Sequence, residues 1–132
     1  MQKVIDAYAL LCYLNKESGW EQVEEMLSAA AEKGRNLLMS AVNWGEVCYI
    51  IKRNYSPEET ESIMQLIDTF PIDLIPADRE QAKTAAQFKA GGKISYADCF
   101  AAALAKLRKA ELVTGDKEFK MVENEIKIRW LL

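Results

Sequence analysis

The sequence contains no histidine. That absence excludes imidazole general acid–base catalysis, Ser-His-Asp and Cys-His nucleophile systems, and His-ligated zinc or iron. Cysteine is sparse: Cys12, Cys48 and Cys99 are far apart, none forms a CxxC, and each lies in an apolar segment. Such spacing fits small buried hydrophobes in a reducing compartment. No stretch of about 20 apolar residues is present, so no membrane-spanning helix is expected. The apolar start MQKVIDAYALLCYLN is interrupted by Asp6 and lacks a signal-peptide cleavage pattern, which points to the cytoplasm. Nor does one sign of charge dominate. With 17 Lys and Arg against 20 Asp and Glu, the chain has no global field that draws it to nucleic acid or a membrane surface. Any chemistry must run on carboxylates, hydroxyls, amines, thiols or a bound ion.

The 132 residues, half of them apolar, are the length of one domain, expected to span 1–132. A chain of this size buries roughly 68% of the surface it exposes when unfolded, enough for a core without disulfides. Five short apolar runs read as strands: Lys3-Val4-Ile5, Leu37-Leu38-Met39, Ile72 to Ile75, Leu112-Val113-Thr114 and the alternating Ile126 to Leu131. Helical patterns lie between them. They run from Tyr8 to Leu14, from Trp20 to Gly34, from Asn43 to Arg53, after Ser56-Pro57, from Asp78 to Ala90, from Ser95 to Lys109 and from Asp116 to Glu123. Ser18 with Glu21 and Ser56 with Glu59 have the spacing of capping boxes. Strands separated by helices imply βαβ units. The expected fold is a three-layer α/β/α domain with a mostly parallel sheet of about five strands in the order 3-2-1-4-5.

Four carboxylates stand in apolar company. Asp6 is the only charge between Val4 and Asn15, Glu46 the only one in SAVNWGEVCYII, and Asp98 the only one in SYADCFAAALA; Asp116 follows the strand LVT and a glycine. An ionised carboxylate in such surroundings is costly unless paired, hydrogen-bonded or coordinated. Helix capping is one account of all four. Asp6 and Asp116 precede helices, and Glu46 and Asp98 lie three residues after Asn43 and Ser95, the closing position of a capping box. A shared site is the other. In a parallel sheet, ligands bind at the carboxyl ends of the strands beside the switch point, where Asp6, Glu46 and Asp116 fall. Asp98 starts a helix whose far end leads into the fourth strand, so it reaches that edge only if its helix is angled across it. Converging carboxylates raise one another's pKa, and a divalent cation resolves the conflict. All-oxygen ligation suits Mg²⁺ or Mn²⁺, ions that support attack on a phosphodiester.

VID at the start, NWGEV in the middle, then ISYADCFAAALA and LVTGDKEF resemble, in order and spacing, the PIN-domain family and in particular its VapC-type toxins. The resemblance covers essentially the whole chain, ending with IKIRWL. It implies a Mg²⁺-dependent endoribonuclease, the toxin of a toxin–antitoxin pair, hydrolysing RNA through an ion-activated water. On that reading Asp6, Glu46, Asp98 and Asp116 form the catalytic acidic quartet, with Asp6 and Asp98 as principal metal ligands. Thr114 matches the hydroxyl before the last acid, and Asn43 the polar residue before the Glu, whose plainer role is a helix cap. A homodimer and a cognate antitoxin are implied as well. Two positions depart from the pattern: Tyr8 stands where the family often has Ser or Thr, and Glu118 where a further Asp is sometimes found.

Lys16, Lys52, Arg53, Lys89, Lys93, Lys106, Arg108 and Lys109 are candidates for RNA contact, though each also fits ordinary solvated helix surface. Trp20, Trp44, Tyr49 and Tyr55 fit either core or a partner surface. Other classes match less well. A haloacid-dehalogenase-like phosphatase needs Asp-x-Asp after the first strand, and DAY lacks the second acid. A receiver-like signalling domain needs an Asp ending the third strand, whereas Asp73 lies inside it. A catalytically silent PIN fold serving as a binding module is the remaining alternative, with Tyr8 as its motive.

Overall fold

The computed structural model describes all residues, 1–132. Five strands, β1 (Lys3–Ile5), β2 (Leu37–Ser40), β3 (Ile72–Ile75), β4 (Glu111–Thr114) and β5 (Ile128–Trp130), form one sheet in the order β3-β2-β1-β4-β5. Every neighbouring pair is parallel. The six α-helices are α1 (Ala7–Leu14), α2 (Trp20–Lys33), α3 (Ala41–Asn54), α4 (Pro57–Ile67), α5 (Arg79–Ala90) and α6 (Tyr96–Arg108). A 3₁₀ helix at Lys117–Val122 stands where sequence periodicity had suggested a regular helix. The expected fold class and strand order are those observed.

Alternation along the strands explains the three layers. Successive side chains of a strand point to opposite faces. Val4, Leu38 and Leu112 are in register across the central strands and belong to one core, under α5, α6 and the 3₁₀ helix. Ile5, Leu37, Met39 and Val113 face the other way, into a core shared with α1, α2, α3 and α4. Both faces are thus apolar, as a doubly covered parallel sheet requires. No helix is long and apolar enough to cross a membrane.

Local signals set most of the boundaries. Ser56 and Glu59 form the expected reciprocal capping box, with Pro57 at the first position of α4. Asp78 accepts the Gln81 N–H at 2.9 Å and starts α5. Gly34 ends α2 with φ +65°, a left-handed conformation that glycine adopts without a Cβ penalty. The capping box expected at Ser18 and Glu21 does not form. The Ser18 hydroxyl instead donates to the Leu132 carbonyl at 3.0 Å, and Gly19, at φ +96°, takes the cap position. A contact 114 residues away in sequence outcompetes the local one.

The alanine-rich α6 is the central helix. Cys99 and Ala101 to Ala105 are all buried, and α6 packs against α3, α5, β1, β2 and β4. Small side chains allow that close approach, and alanine has the highest helix propensity. Two residues link α6 to β4, so α6 runs antiparallel to the strands and its first turn lies at their carboxyl edge. No special crossing angle is needed to bring Asp98 there. Antiparallel direction suffices.

A buried polar link ties this edge to α5. Ser40, the last residue of β2, donates from its hydroxyl to Gln81 Oε1 at 2.6 Å, and Gln81 Nε2 donates to the Pro76 carbonyl at 3.2 Å. Both side chains are essentially inaccessible. Replacing Gln81 with Ala leaves the Ser40 hydroxyl without its acceptor, so we expect a loss of about 1–3 kcal/mol in urea unfolding. Gln87→Ala, on the exposed side of the same helix, should stay within about 0.5 kcal/mol of wild type.

Candidate active site

β1 ends at Ile5, and the next residue, Asp6, caps α1. Its Oδ1 accepts the Ala9 N–H at 2.8 Å and its Oδ2 accepts the Thr114 hydroxyl at 2.5 Å. Ile5 pairs with Val113, so parallel register carries Asp6 and Thr114 out of the sheet side by side. Asp6 is only 1% exposed, and Thr114 is fully buried. The Thr114 Oγ1 also accepts the Asp116 N–H at 3.0 Å. One hydroxyl therefore joins the first acid to the last.

The other acids arrive from the opposite core and from α3. Ser95 caps α6 by accepting the Asp98 N–H at 3.3 Å. The reciprocal capping bond does not run to Asp98, because the Ser95 N–H donates to Glu118 Oε1 at 2.8 Å. The Glu118 N–H in turn donates to Asp116 Oδ1 at 2.9 Å. Asp98, Asp116 and Glu118 can each bring one oxygen within 4.8 Å of the others. Glu118 was outside the quartet read from the sequence. Its signal there is that it stands where the PIN-domain pattern sometimes has a further Asp.

Asn43 is not a helix cap. Ser40 caps α3, accepting the Val42 N–H at 3.3 Å, and Asn43 lies buried inside the helix. Its Nδ2 donates to Glu46 Oε1 at 2.9 Å and to the Ala97 carbonyl at 3.0 Å. It thus clamps the start of α3 to the residue before Asp98 and aims the Glu46 carboxylate. Its Oδ1 is buried without a donor. Capping therefore accounts for Asp6 and Asp116, while Glu46 and Asp98 reach the edge with carboxylates not spent on a helix start.

No lysine or arginine pairs with this group. The ion pairs of the chain join Lys3 and Lys127 to Glu111, and Lys106 to Glu125. Burial pushes the Asp6 carboxyl up to about 7, reinforced by the charges of Asp98 and Asp116 and opposed by its hydrogen bonds to Thr114 and Ala9. Asp98 is likewise pushed up to about 7, first by burial, then by Asp116, Glu46 and Glu118, with the Ser95 hydroxyl opposing. The oxygens of Asp98, Asp116 and Glu118 are negative and close, Asp6 and Glu46 stand outside that cluster, and one buried amide oxygen of Asn43, the partner of Glu46, lacks a donor. That set fits a hard divalent cation whose shell water completes.

The basic candidates are scattered. Lys16 lies over the Trp20 ring, Arg53 over Tyr49, and Lys106 over Phe88. Arg108 is ten residues along α6 from Asp98, about 15 Å away by helical rise, at the far edge of the sheet. Lys89 Nζ donates to the Ile94 carbonyl at 2.9 Å, tying down the turn that leads to Ser95. Lys93, exposed in that turn, remains near the acids along the chain. Cys12 and Cys99 are buried and Cys48 half-buried, all as free thiols.

A sequence model of the PIN domain matches residues 3–125. Among curated proteins, ribonuclease VapC42 of Mycobacterium tuberculosis is 33% identical over 84 residues, covering 64% of this chain and 61% of the relative. That match spans less than two thirds of the relative's length. Ribonuclease VapC30 of the same organism is 27% identical over 124 residues, 89% of this chain and 92% of the relative. Among solved structures, the DNA-bound VapBC of Salmonella typhimurium superposes with a TM-score of 0.80 at 18% identity, over 100% of this chain and 99% of that one. VapBC2 of Rickettsia felis, bound to a promoter DNA fragment, gives 0.77 at 19% identity, over 98% of each chain. At these identities the structural likeness shows the fold.

The raised carboxyls make metal-free stability fall as pH rises. Unfolded, an aspartate releases its proton near pH 4; folded, Asp6 and Asp98 hold theirs to about 7. Between those values the unfolded state binds fewer protons, so its population grows with pH. In EDTA we expect a lower Tm at about pH 8 than at about pH 5.5, and a smaller difference in Asp98→Asn. Added Mg²⁺ or Mn²⁺ should raise Tm more at the higher pH, because cation and proton compete for the same oxygens. An EDTA profile that climbs through this range would contradict the assignment.

Proposed function

The chain belongs to the PIN-domain family, and on that premise we propose that it is a divalent-metal-dependent endoribonuclease, the toxin of a VapBC-type pair. The observation that carries this reading is the group of carboxylates at the carboxyl edge of the sheet with no lysine or arginine to neutralise it. The ribonuclease names of the curated relatives support the reading, and so do structural neighbours solved as VapBC complexes. We assign the catalytic roles to Asp6, Glu46, Asp98 and Asp116, and extend that set to Glu118. Asp6 and Asp98 are taken as the principal ligands of Mg²⁺, with Mn²⁺ as a substitute. When bound, the cation supplies Lewis acidity and charge neutralisation toward the phosphodiester.

The residues of the chain prepare that site in advance. Thr114 holds the Asp6 carboxylate in one orientation and fixes the Asp116 backbone at the same time. Asn43 holds one oxygen of Glu46 and leaves the other free. Glu118 ties the segment after β4 to the start of α6, so that Asp98 and Asp116 keep their spacing. Preorganisation of this kind spares the reaction the cost of arranging like charges around a developing transition state.

In this reading the partners are RNA, a cognate antitoxin and a second copy of the chain, and the setting is the cytoplasm. An apolar groove of about 350 Å³ between α1, α3 and α4, lined by Leu11, Leu14, Ile50, Ile63 and Leu66, offers such a protein partner a surface.

Asp98→Asn preserves shape and removes one charge. We expect it to lower RNA cleavage in Mg²⁺ by at least about a hundredfold while the metal-free fold stays as stable or becomes more so. Cleavage at the wild-type rate overturns the mechanism. A badly destabilised variant instead marks a structural role for Asp98.

A further inference from the structure

Tyr8 lies on the first turn of α1, two residues after Asp6, and is 46% exposed. The hydroxyl end of its ring rests against Gly115, the residue between Thr114 and Asp116. A Cβ built at Gly115 would collide with the ring, coming within 2.9 Å of its Cζ. Glycine here is thus a seat for the tyrosine, and the seat lies between two residues of the acidic site. The remaining ring surface is open to solvent at the rim.

Apart from Lys93, the charge at this rim is negative and does not favour RNA. Asp116 follows Gly115 directly, Asp98 lies close enough to feel Asp116, Glu46 and Glu118, and none of these acids is paired with a lysine or arginine. A phosphate brought here meets repulsion that a cation only partly offsets, so a contact independent of charge is needed. Aromatic rings supply one. Bases of single-stranded RNA stack on exposed tyrosines with little regard to sequence. A ring already held by its neighbour loses little freedom when a base lands on it.

We propose that Tyr8, seated on Gly115, is the stacking platform for an unpaired nucleobase next to the cleaved phosphate. This rests on the ribonuclease reading above and deepens it. The platform selects unpaired RNA over duplex, because a base must leave its own stack to reach the ring. It acts on binding rather than on the chemical step.

The test uses the full chain in Mg²⁺ with a short, unstructured RNA whose cleavage site is first mapped with wild type. Tyr8→Ala should raise KM between about five- and a hundredfold with kcat changed less than about threefold. Tyr8→Phe should match wild type, and Tyr8→Leu should resemble Ala. Gly115→Ala, which evicts the ring, should raise KM in the same direction, and adding it to Tyr8→Ala should cost little more. Removing the base next to the mapped site should abolish the difference between wild type and Tyr8→Ala. The proposal falls if Tyr8→Ala keeps the wild-type KM while Asp98→Asn abolishes cleavage, an outcome that leaves the ribonuclease reading standing. It also falls if Tyr8→Phe loses as much as Ala, or if the loss is in kcat alone, since either marks a positioning role through the hydroxyl. Wild-type protein that cleaves no RNA overturns both readings.

Discussion

Like charges held close together in a half-dry pocket are the constraint on which the rest of the structure depends. Asp6 and Asp98 sit where burial and neighbouring carboxylates disfavour ionisation, and no lysine or arginine relieves them. A protein optimised only for stability has no reason to keep such a group. Here the surrounding bonds hold it in place. Thr114 serves two acids with one hydroxyl, Asn43 ties Glu46 to α6, and Glu118 ties the segment after β4 to Ser95. The scaffold carries the strain of a site whose natural relief is a cation.

The fold delivers those acids by direction rather than by proximity in sequence. β1 and β4 are neighbours in register, so Asp6 and Thr114 leave the sheet together, although 108 residues separate them. α6 returns antiparallel to the strands, which sets its first turn on the same edge as their ends. Its alanine face lets it lie low over β1 and β2, close enough for Asp98 to sense Asp116 and Glu46. Larger residues on that face would lift the helix and widen the pocket.

Much of this is legible in the sequence alone. The alternation of Val4 with Ile5, of Leu38 with its neighbours and of Leu112 with Val113 already encodes a sheet covered on both faces. The isolated charges in apolar runs already mark where the site lies. Other features were hidden for physical reasons. The bond from Ser95 to Glu118 and that from Ser18 to Leu132 replace local capping partners with distant ones. Periodicity carries no trace of such competition. Asn43 looks like a cap in the sequence because asparagine favours helix starts; its buried clamp depends on where α6 happens to pass.

The sequence by itself therefore determined the layers and the set of acids worth weighing, because burial patterns and local caps are written in neighbouring residues, whereas the strand order is fixed by pairing between distant segments. Tertiary structure decided how those acids meet: which share a hydroxyl, which are aimed by an amide, and that Glu118 stands among them. It also decided that Tyr8 rests on Gly115 at the rim. The difference is one of range. Hydrophobic alternation acts over two residues and capping over three, whereas a pocket is closed by bonds between segments that only the completed fold brings within reach.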